Sequence, residues 1–161
     1  VGITGGPVKA ELCRDVFGYD AVVDYKAPAF PEALQAACPR GVDVYFDNTA
    51  GAVSDAVLPL LAVGARVVVC GTASVASWDP VPLGPRVERH LLVKRARMQG
   101  FLVFDHQHRF AEALRRLTAW VRDGRLRYRE DIVDGIEQCP GAIAALYRGE
   151  NLGKRLIRLR T

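Results

Sequence analysis

At 161 residues the chain is one ordinary domain, or one domain with a piece of another. Half of it is hydrophobic, which excludes a disordered chain, and no apolar run reaches the roughly 18–20 residues of a membrane span. The net charge of +4 comes from basic residues that are spread out apart from 86–97 and the tail Lys154, Arg155, Arg158 and Arg160; neither cluster interleaves with aromatics, so solvated faces are favoured over a nucleic-acid surface.

In chain order, Val1-Gly2-Ile3 reads as the end of a buried strand, and Thr4-Gly5-Gly6 as a tight turn. Residues 9–16 fit a short amphipathic helix stopped by Gly18. A second buried strand covers 21–24 (AVVD), and 30–37 is helical, ended by Pro39 and Gly41. A third strand, 42–46 (VDVYF), carries Asp47-Asn48 at its tip. Residues 54–61 read as a helix with Ser54 as N-cap, and 65–70 (ARVVVC) as a fourth strand closed by Gly71. Residues 72–85 are a Ser-, Pro- and Gly-rich loop, and 87–94 are helical. A fifth strand with an internal glycine spans 98–104 (MQGFLVF). Residues 110–122 form an amphipathic helix with Phe110, Ala113, Leu114, Leu117 and Val121 on one face. The chain closes with an extended stretch at 131–133, a helix at 140–147 and a strand at 154–159.

Short β-branched strands alternating with helices over residues 1–122 predict an α/β fold, with a parallel sheet covered on both faces. Ligands of such sheets sit beyond the carboxyl ends of the strands. The strand tips are therefore the candidate site: Thr4-Gly5-Gly6, Tyr25-Lys26, Asp47-Asn48, Cys70-Gly71-Thr72 and residues 101–104. Cys13, Cys38, Cys70 and Cys139 are widely spaced and form no C-x-x-C pair, which suits a reducing cytoplasm. With His90, His106 and His108 they give no zinc-ligand spacing, so no metal is expected. His106 and His108, two apart beside Asp105, leave a metal conceivable, but a solvated loop is the favoured reading.

A dinucleotide fold places an acid at its second strand tip to bind the ribose diol. The tip at Gly5-Gly6 has none and is followed by Lys9 one helical turn on, which suits a 2′-phosphate better than a diol. A surface turn followed by a solvated lysine is the competing reading, and on this stretch alone the two stand level. Tyr25 alone reads as an interface tyrosine at the sheet edge; next to Lys9 it also suits packing on an adenine or donation to the same phosphate. Asn48 is a turn former or a partner for a ribose or carboxamide. No nucleophile triad, carboxylate pair, P-loop or G-x-G-x-x-G is present. A site so poor in acid–base groups suits a cofactor that brings its own chemistry.

The ordered series GITGGPVKAELC, GYDAVVDYK, ACPRGVDVYFDNTAG, DAVLPLL, ARVVVCG, MQGFLVFDH, LTAWVRDGRLRYREDIVDG and GENLGK resembles the zinc-independent medium-chain dehydrogenases/reductases over nearly the whole chain. It is most similar to the prostaglandin reductase and leukotriene B4 12-hydroxydehydrogenase group, with its curcumin reductase-like members. Its most specific pieces are G-G-x-x-K, D-Y-K, F-D-N, V-C-G, G-F-x-V and N-L-G-K. The resemblance implies NADPH-dependent reduction of the C=C bond of α,β-unsaturated ketones and aldehydes, with hydride going to the β-carbon and a proton to the α-carbon. It implies that Lys9 and Tyr25, beside Gly5 and Gly6, hold the 2′-phosphate. Asn48 would contact the cofactor and Cys70 would lie along its ribose–nicotinamide side. Phe101, Leu102 and Val103 would line the nicotinamide, and Asn151 would close on the cofactor. It further implies a homodimer paired through the edge at Phe101, Leu102, Val103 and Phe104.

The chain departs from that family in three places. It begins at the family's second nucleotide-fold strand, without the GroES-like barrel domain or the first strand and its glycine-rich turn. In the order 3-2-1-4-5-6 that first strand lies between the first and third strands found here. The expectation is a Rossmann-type doubly wound sheet lacking its first strand over 1–124, from a longer or truncated protein. Residues 125–161 would be a return segment completing the absent catalytic domain. Without that domain Ile132, Ile136, Ile157 and Leu159 would lack part of their cover, and the 161 residues alone would show no turnover. Second, where the family reads C-G-x-I-S-x-Y-N, this chain reads CGTASVAS, so Ala76 stands at the tyrosine that assists the substrate carbonyl. Solvent or a cofactor hydroxyl would then supply the proton. Third, FDNTAG replaces FDNVGG, a milder change. A non-catalytic NADP-binding remnant and a dimerisation module remain as alternatives.

Overall fold

The computed structural model describes residues 1–159. Its strands are β1 (Gly2–Thr4), β2 (Val22–Asp24), β3 (Val42–Asp47), β4 (Leu61–Val69), β5 (Arg97–Gly100), β6 (Glu130–Asp134) and β7 (Lys154–Arg158). The helices are α1 (Pro7–Glu11), α2 (Phe30–Ala37), α3 (Gly51–Val57), α4 (Glu88–Lys94), α5 (Phe110–Arg122) and α6 (Cys139–Arg148). All strand pairs are parallel, and they fall into three ladders: β1-β2, β3-β4-β5 and β6-β7. Among the described residues no ladder joins β1 to β3. Among them, too, no helix is long and apolar enough to cross a membrane.

The chain divides into two compact units, one over Tyr25–Phe110 and the other over Gly2–Asp24 with the chain from Ala111 onward. The core of the first unit is Leu58, Leu61, Ala65 and Val67, packed by Val42, Tyr45, Val69, Val87, Ala96 and Met98. Helix α2 buries Phe30 and Leu34, four residues apart and so on one helical face. On β3, however, Val44 and Phe46 are exposed, so the face of the ladder that carries them is open. In the second unit α6 buries Ala142 and Ala145 and ends on Gly149, whose left-handed backbone lets Glu150 N–H reach the Ala145 carbonyl at 2.9 Å. Ile132, Ile136 and Leu159 are exposed and Ile157 is half-buried, while α5 has no buried residue.

Four elements differ from expectation. The helix over 9–16 is instead α1, started early by Pro7 in its first turn, followed by a π-helical turn Leu12–Val16. That wider turn closes with Phe17 N–H on the Leu12 carbonyl at 3.2 Å. Ser54 is no N-cap. It lies inside α3, which begins at Gly51, and its hydroxyl bonds Asp47 instead. Strand β4 begins at Leu61 rather than Ala65, and its pairing with β3 shifts register between Val42 and Val44. Strand β5 ends at Gly100 rather than continuing to Phe104. Its last ladder bond is Phe101 N–H to the Val69 carbonyl at 2.8 Å, and β4 itself stops at Val69. Residues Val103–Arg109 then form short 3-10 turns, so the presumed pairing edge is not a strand.

Candidate functional site

Two groups of the sequence-predicted residues gather at strand tips, one in each unit. In the second unit β1 ends at Thr4, and Gly5 and Gly6 turn the chain into α1. Gly6 takes φ 89°, a left-handed backbone that favours glycine. The corner is not free of carboxylates, contrary to the sequence reading. Asp24, opposite Thr4 in the β1-β2 register, accepts the Gly6 N–H at 2.8 Å. The acid comes from the neighbouring strand, 18 residues away, and no local pattern reveals it.

Thr4 Oγ1 is buried at this tip with no hydrogen-bond partner. An unmet buried hydroxyl costs about 1–3 kcal/mol. Lys9, on α1, sends its ammonium toward the end of α6: a Cβ built on Gly149 would meet Lys9 Nζ at 3.6 Å. Lys9 also acts on Cys13. Burial pushes that thiol above its ordinary value and the ammonium pulls it back. Asn151, in the turn before β7, donates through Nδ2 to the Gly153 carbonyl at 2.7 Å. A cation, an unmet hydroxyl and a glycine turn fit a phosphate-bearing ligand, with the Asp24 carboxylate opposing it.

In the first unit the tips of β3 and β4 are tied into one knot. Asp47 is 3% exposed and fully engaged. Its Oδ1 accepts Thr49 N–H at 3.0 Å and Ala50 N–H at 2.8 Å, and its Oδ2 accepts the Ser54 hydroxyl at 2.5 Å. Since Ser54 gives its proton to Asp47, Tyr45, at 3.2 Å, donates to Ser54 in turn. Burial raises the Tyr45 phenol above its usual value, which keeps it a neutral donor. The Asp47 carbonyl accepts Cys70 N–H at 2.7 Å and Gly71 N–H at 3.2 Å. Ser74 N–H donates to the Thr49 carbonyl at 2.9 Å, and its hydroxyl lies 2.8 Å and 2.9 Å from the Thr49 and Ala50 carbonyls.

Asn48, exposed, stands in the middle of this knot. Its Oδ1 lies 2.5 Å from where a Cβ on Gly71 would sit, so only glycine leaves room at 71. The FDNTAG change is not mild. Ala50 adopts φ 58°, ψ −159°, a region that is essentially reserved for glycine.

The other predicted residues are also in the first unit. Tyr25 follows β2 in a turn and is exposed. Phe101 stacks on His106, with centroids 5.0 Å apart and planes at 15°. Leu102 and Val103 are exposed on the loop and 3-10 turns beyond β5. Among the described residues no group of three or more His, Cys, Asp or Glu gathers as a metal site would. Sequence reasoning missed Asp24, the carboxylate role of Asp47, and the roles of Ser54 and Ser74. For Asp47 the signal was a charged residue ending an apolar strand run, where a buried charge must be paired.

Parallel ladders whose carboxyl ends carry backbone amides, a carboxamide and a cation have the layout in which open α/β sheets bind nucleotides. Comparison with known proteins bears on the family. The family described as zinc-binding dehydrogenase matches residues 1–119. The chain is 41% identical to the NADPH-dependent curcumin reductase of Escherichia coli (strain K12), over 99% of its own length and 48% of that protein. It is 35% identical to the (+)-pulegone reductase of Mentha piperita, over 98% and 46%. It superposes on CurA from Vibrio vulnificus, crystallised in complex with NADPH, at TM-score 0.91 and 40% identity, over 99% of this chain and 49% of that one. The chain thus spans about half the length of the relatives it matches. It belongs to the zinc-binding dehydrogenase family, among the zinc-independent medium-chain reductases, and corresponds to their C-terminal, nucleotide-binding part.

Proposed function

We propose that the protein supplies the cofactor-binding half of an NADPH-dependent reductase of the C=C bond in α,β-unsaturated ketones and aldehydes. The likeness of nearly the whole chain to an NADPH-bound CurA at 40% identity carries this reading. NADPH, when bound, supplies the hydride for the enone β-carbon. Gly5 and Gly6 let the backbone approach the nucleotide, and Lys9 with Tyr25 holds the 2′-phosphate. Asn48 and Cys70 contact the ribose–nicotinamide side, Phe101, Leu102 and Val103 line the nicotinamide, and Asn151 closes over it. The proton for the α-carbon comes from solvent or a cofactor hydroxyl, because Ala76 carries no donor. Residues 1–124 serve as the NADP-binding part and 125–161 complete a catalytic domain. The same reading places the protein in the cytoplasm, without a metal, as a homodimer paired near Phe101–Phe104.

Fluorescence titration with NADPH, then NADPH consumption with a conjugated enone, tests this. Both are run on the 161 residues and on a fusion carrying the N-terminal half of the Escherichia coli curcumin reductase ahead of Val1. We expect both proteins to bind NADPH and only the fusion to consume the enone. A folded fusion that binds NADPH without turnover makes the chain a binding remnant. Absence of NADPH binding in both overturns the proposal.

A further inference from the structure

We propose that Asp47 is a positioning residue for Asn48, one that sets cofactor affinity without touching the cofactor. This rests on the cofactor role of Asn48 given above. Asp47 clamps the chain on both sides of Asn48. Its carbonyl accepts the Cys70 and Gly71 amides, which fixes the β3 tip to the β4 tip. Its carboxylate takes the Thr49 and Ala50 amides, which fixes the turn that follows. Asn48 is the single residue between the clamps, and it lies over Gly71 at a separation no side chain there would tolerate.

The turn needs such a clamp, because Ala50 sits in a backbone region that L residues leave unless surrounding contacts hold them. Ser54 secures the second carboxylate oxygen from α3, and Tyr45 backs Ser54. Removing the carboxylate lets Ala50 relax to an ordinary φ, and the Asn48 carboxamide swings off the β4 tip. The hydrophobic core at Leu58, Leu61, Ala65 and Val67 contains neither residue.

The test is a double-mutant cycle on NADPH affinity, read by fluorescence. Asp47→Ala and Asn48→Ala are each expected to weaken NADPH about tenfold, since each removes a hydrogen-bonded contact or its support. The double variant should bind within about twofold of Asn48→Ala alone, because Asp47 acts only through Asn48. Asp47→Asn should bind within about threefold of wild type, as an amide oxygen accepts the two N–H groups and its NH2 donates to Ser54. A product of the two losses, about a hundredfold in the double variant, overturns the inference. If Asp47→Ala does not fold, Ser54→Ala replaces it, with a smaller loss that must again vanish beside Asn48→Ala.

If Asn48→Ala leaves NADPH affinity unchanged, the cofactor role of Asn48 fails by itself. Hydrogen exchange then decides the clamp. The Thr49 and Ala50 amides should exchange about tenfold faster in Asp47→Ala, and unchanged exchange overturns the inference.

Discussion

Ala50→Gly should stabilise this protein, an unusual expectation for a change to glycine. Ala50 has φ 58° and ψ −159°, and holding a non-glycine residue there costs about 1–3 kcal/mol. Glycine adopts the region freely but gives the unfolded chain more freedom, which costs about 0.4–1 kcal/mol. The Asp47 bond to the residue-50 amide is kept, since it involves only the backbone. The balance favours the variant by about 1 kcal/mol. Urea unfolding with a slope of about 2 kcal/mol/M would show this as a midpoint raised by about 0.5 M. The next position gives the opposite sign. Gly51 has φ +61°, and a Cβ there would lie 2.5 Å from Ser74 Oγ, so Gly51→Ala should lower the midpoint. An unchanged or lower midpoint for Ala50→Gly, at unchanged slope, would refute the claim that this turn is strained.

Three further outcomes follow from the same geometry. Gly71→Ala places a Cβ 2.5 Å from Asn48 Oδ1 and 2.9 Å from the Asn48 carbonyl oxygen, where the backbone itself must yield. It should cost about 1–3 kcal/mol in urea unfolding and weaken NADPH, and an unperturbed variant would contradict the close approach. Asp24→Ala frees the Gly6 amide and should lower the melting temperature by about 2–4 °C, the effect of roughly 1 kcal/mol in a chain of this size. The β6-β7 ladder should loosen in acid. The Leu152 amide and then Arg155 hold the Asp131 carboxyl below its usual range, through bonds of 2.9 Å and 2.8 Å. A depressed folded-state value means that this stabilisation is present at neutral pH and is lost as pH falls from about 4 through the folded value. Amide exchange along β6 and β7 against pH should show that loss in wild type and not in Asp131→Asn.

Periodicity was enough to place α2 and α5 at their observed bounds, and the β-branched runs located β2 and β3. The parallel pairing of neighbouring strands followed from their alternation with helices. What the pattern hides is side-chain pairing across the chain. Ser54 reads locally as a helix cap, yet its hydroxyl is claimed by Asp47, seven residues back on another element. The Gly5-Gly6 corner reads as uncharged because Asp24 arrives from a neighbouring strand. The end of β5 was misplaced for a related reason: Phe101–Phe104 has the composition of a strand, but its partner β4 stops first. At the candidate site, motif order indicated which residues stand at the tips. The bonds that hold them there, above all those of Asp47, required the fold.

In the proposed function the corner at Gly5, Gly6 and Lys9 selects a 2′-phosphate in spite of Asp24. Displacement of NADPH by 2′,5′-ADP and by 5′-AMP, which differ only in that phosphate, measures this directly. We expect 2′,5′-ADP to displace at a concentration about tenfold lower, a difference matching one charge-assisted contact, and Lys9→Ala to erase that advantage. Equal displacement by the two nucleotides in the wild-type protein would contradict the account.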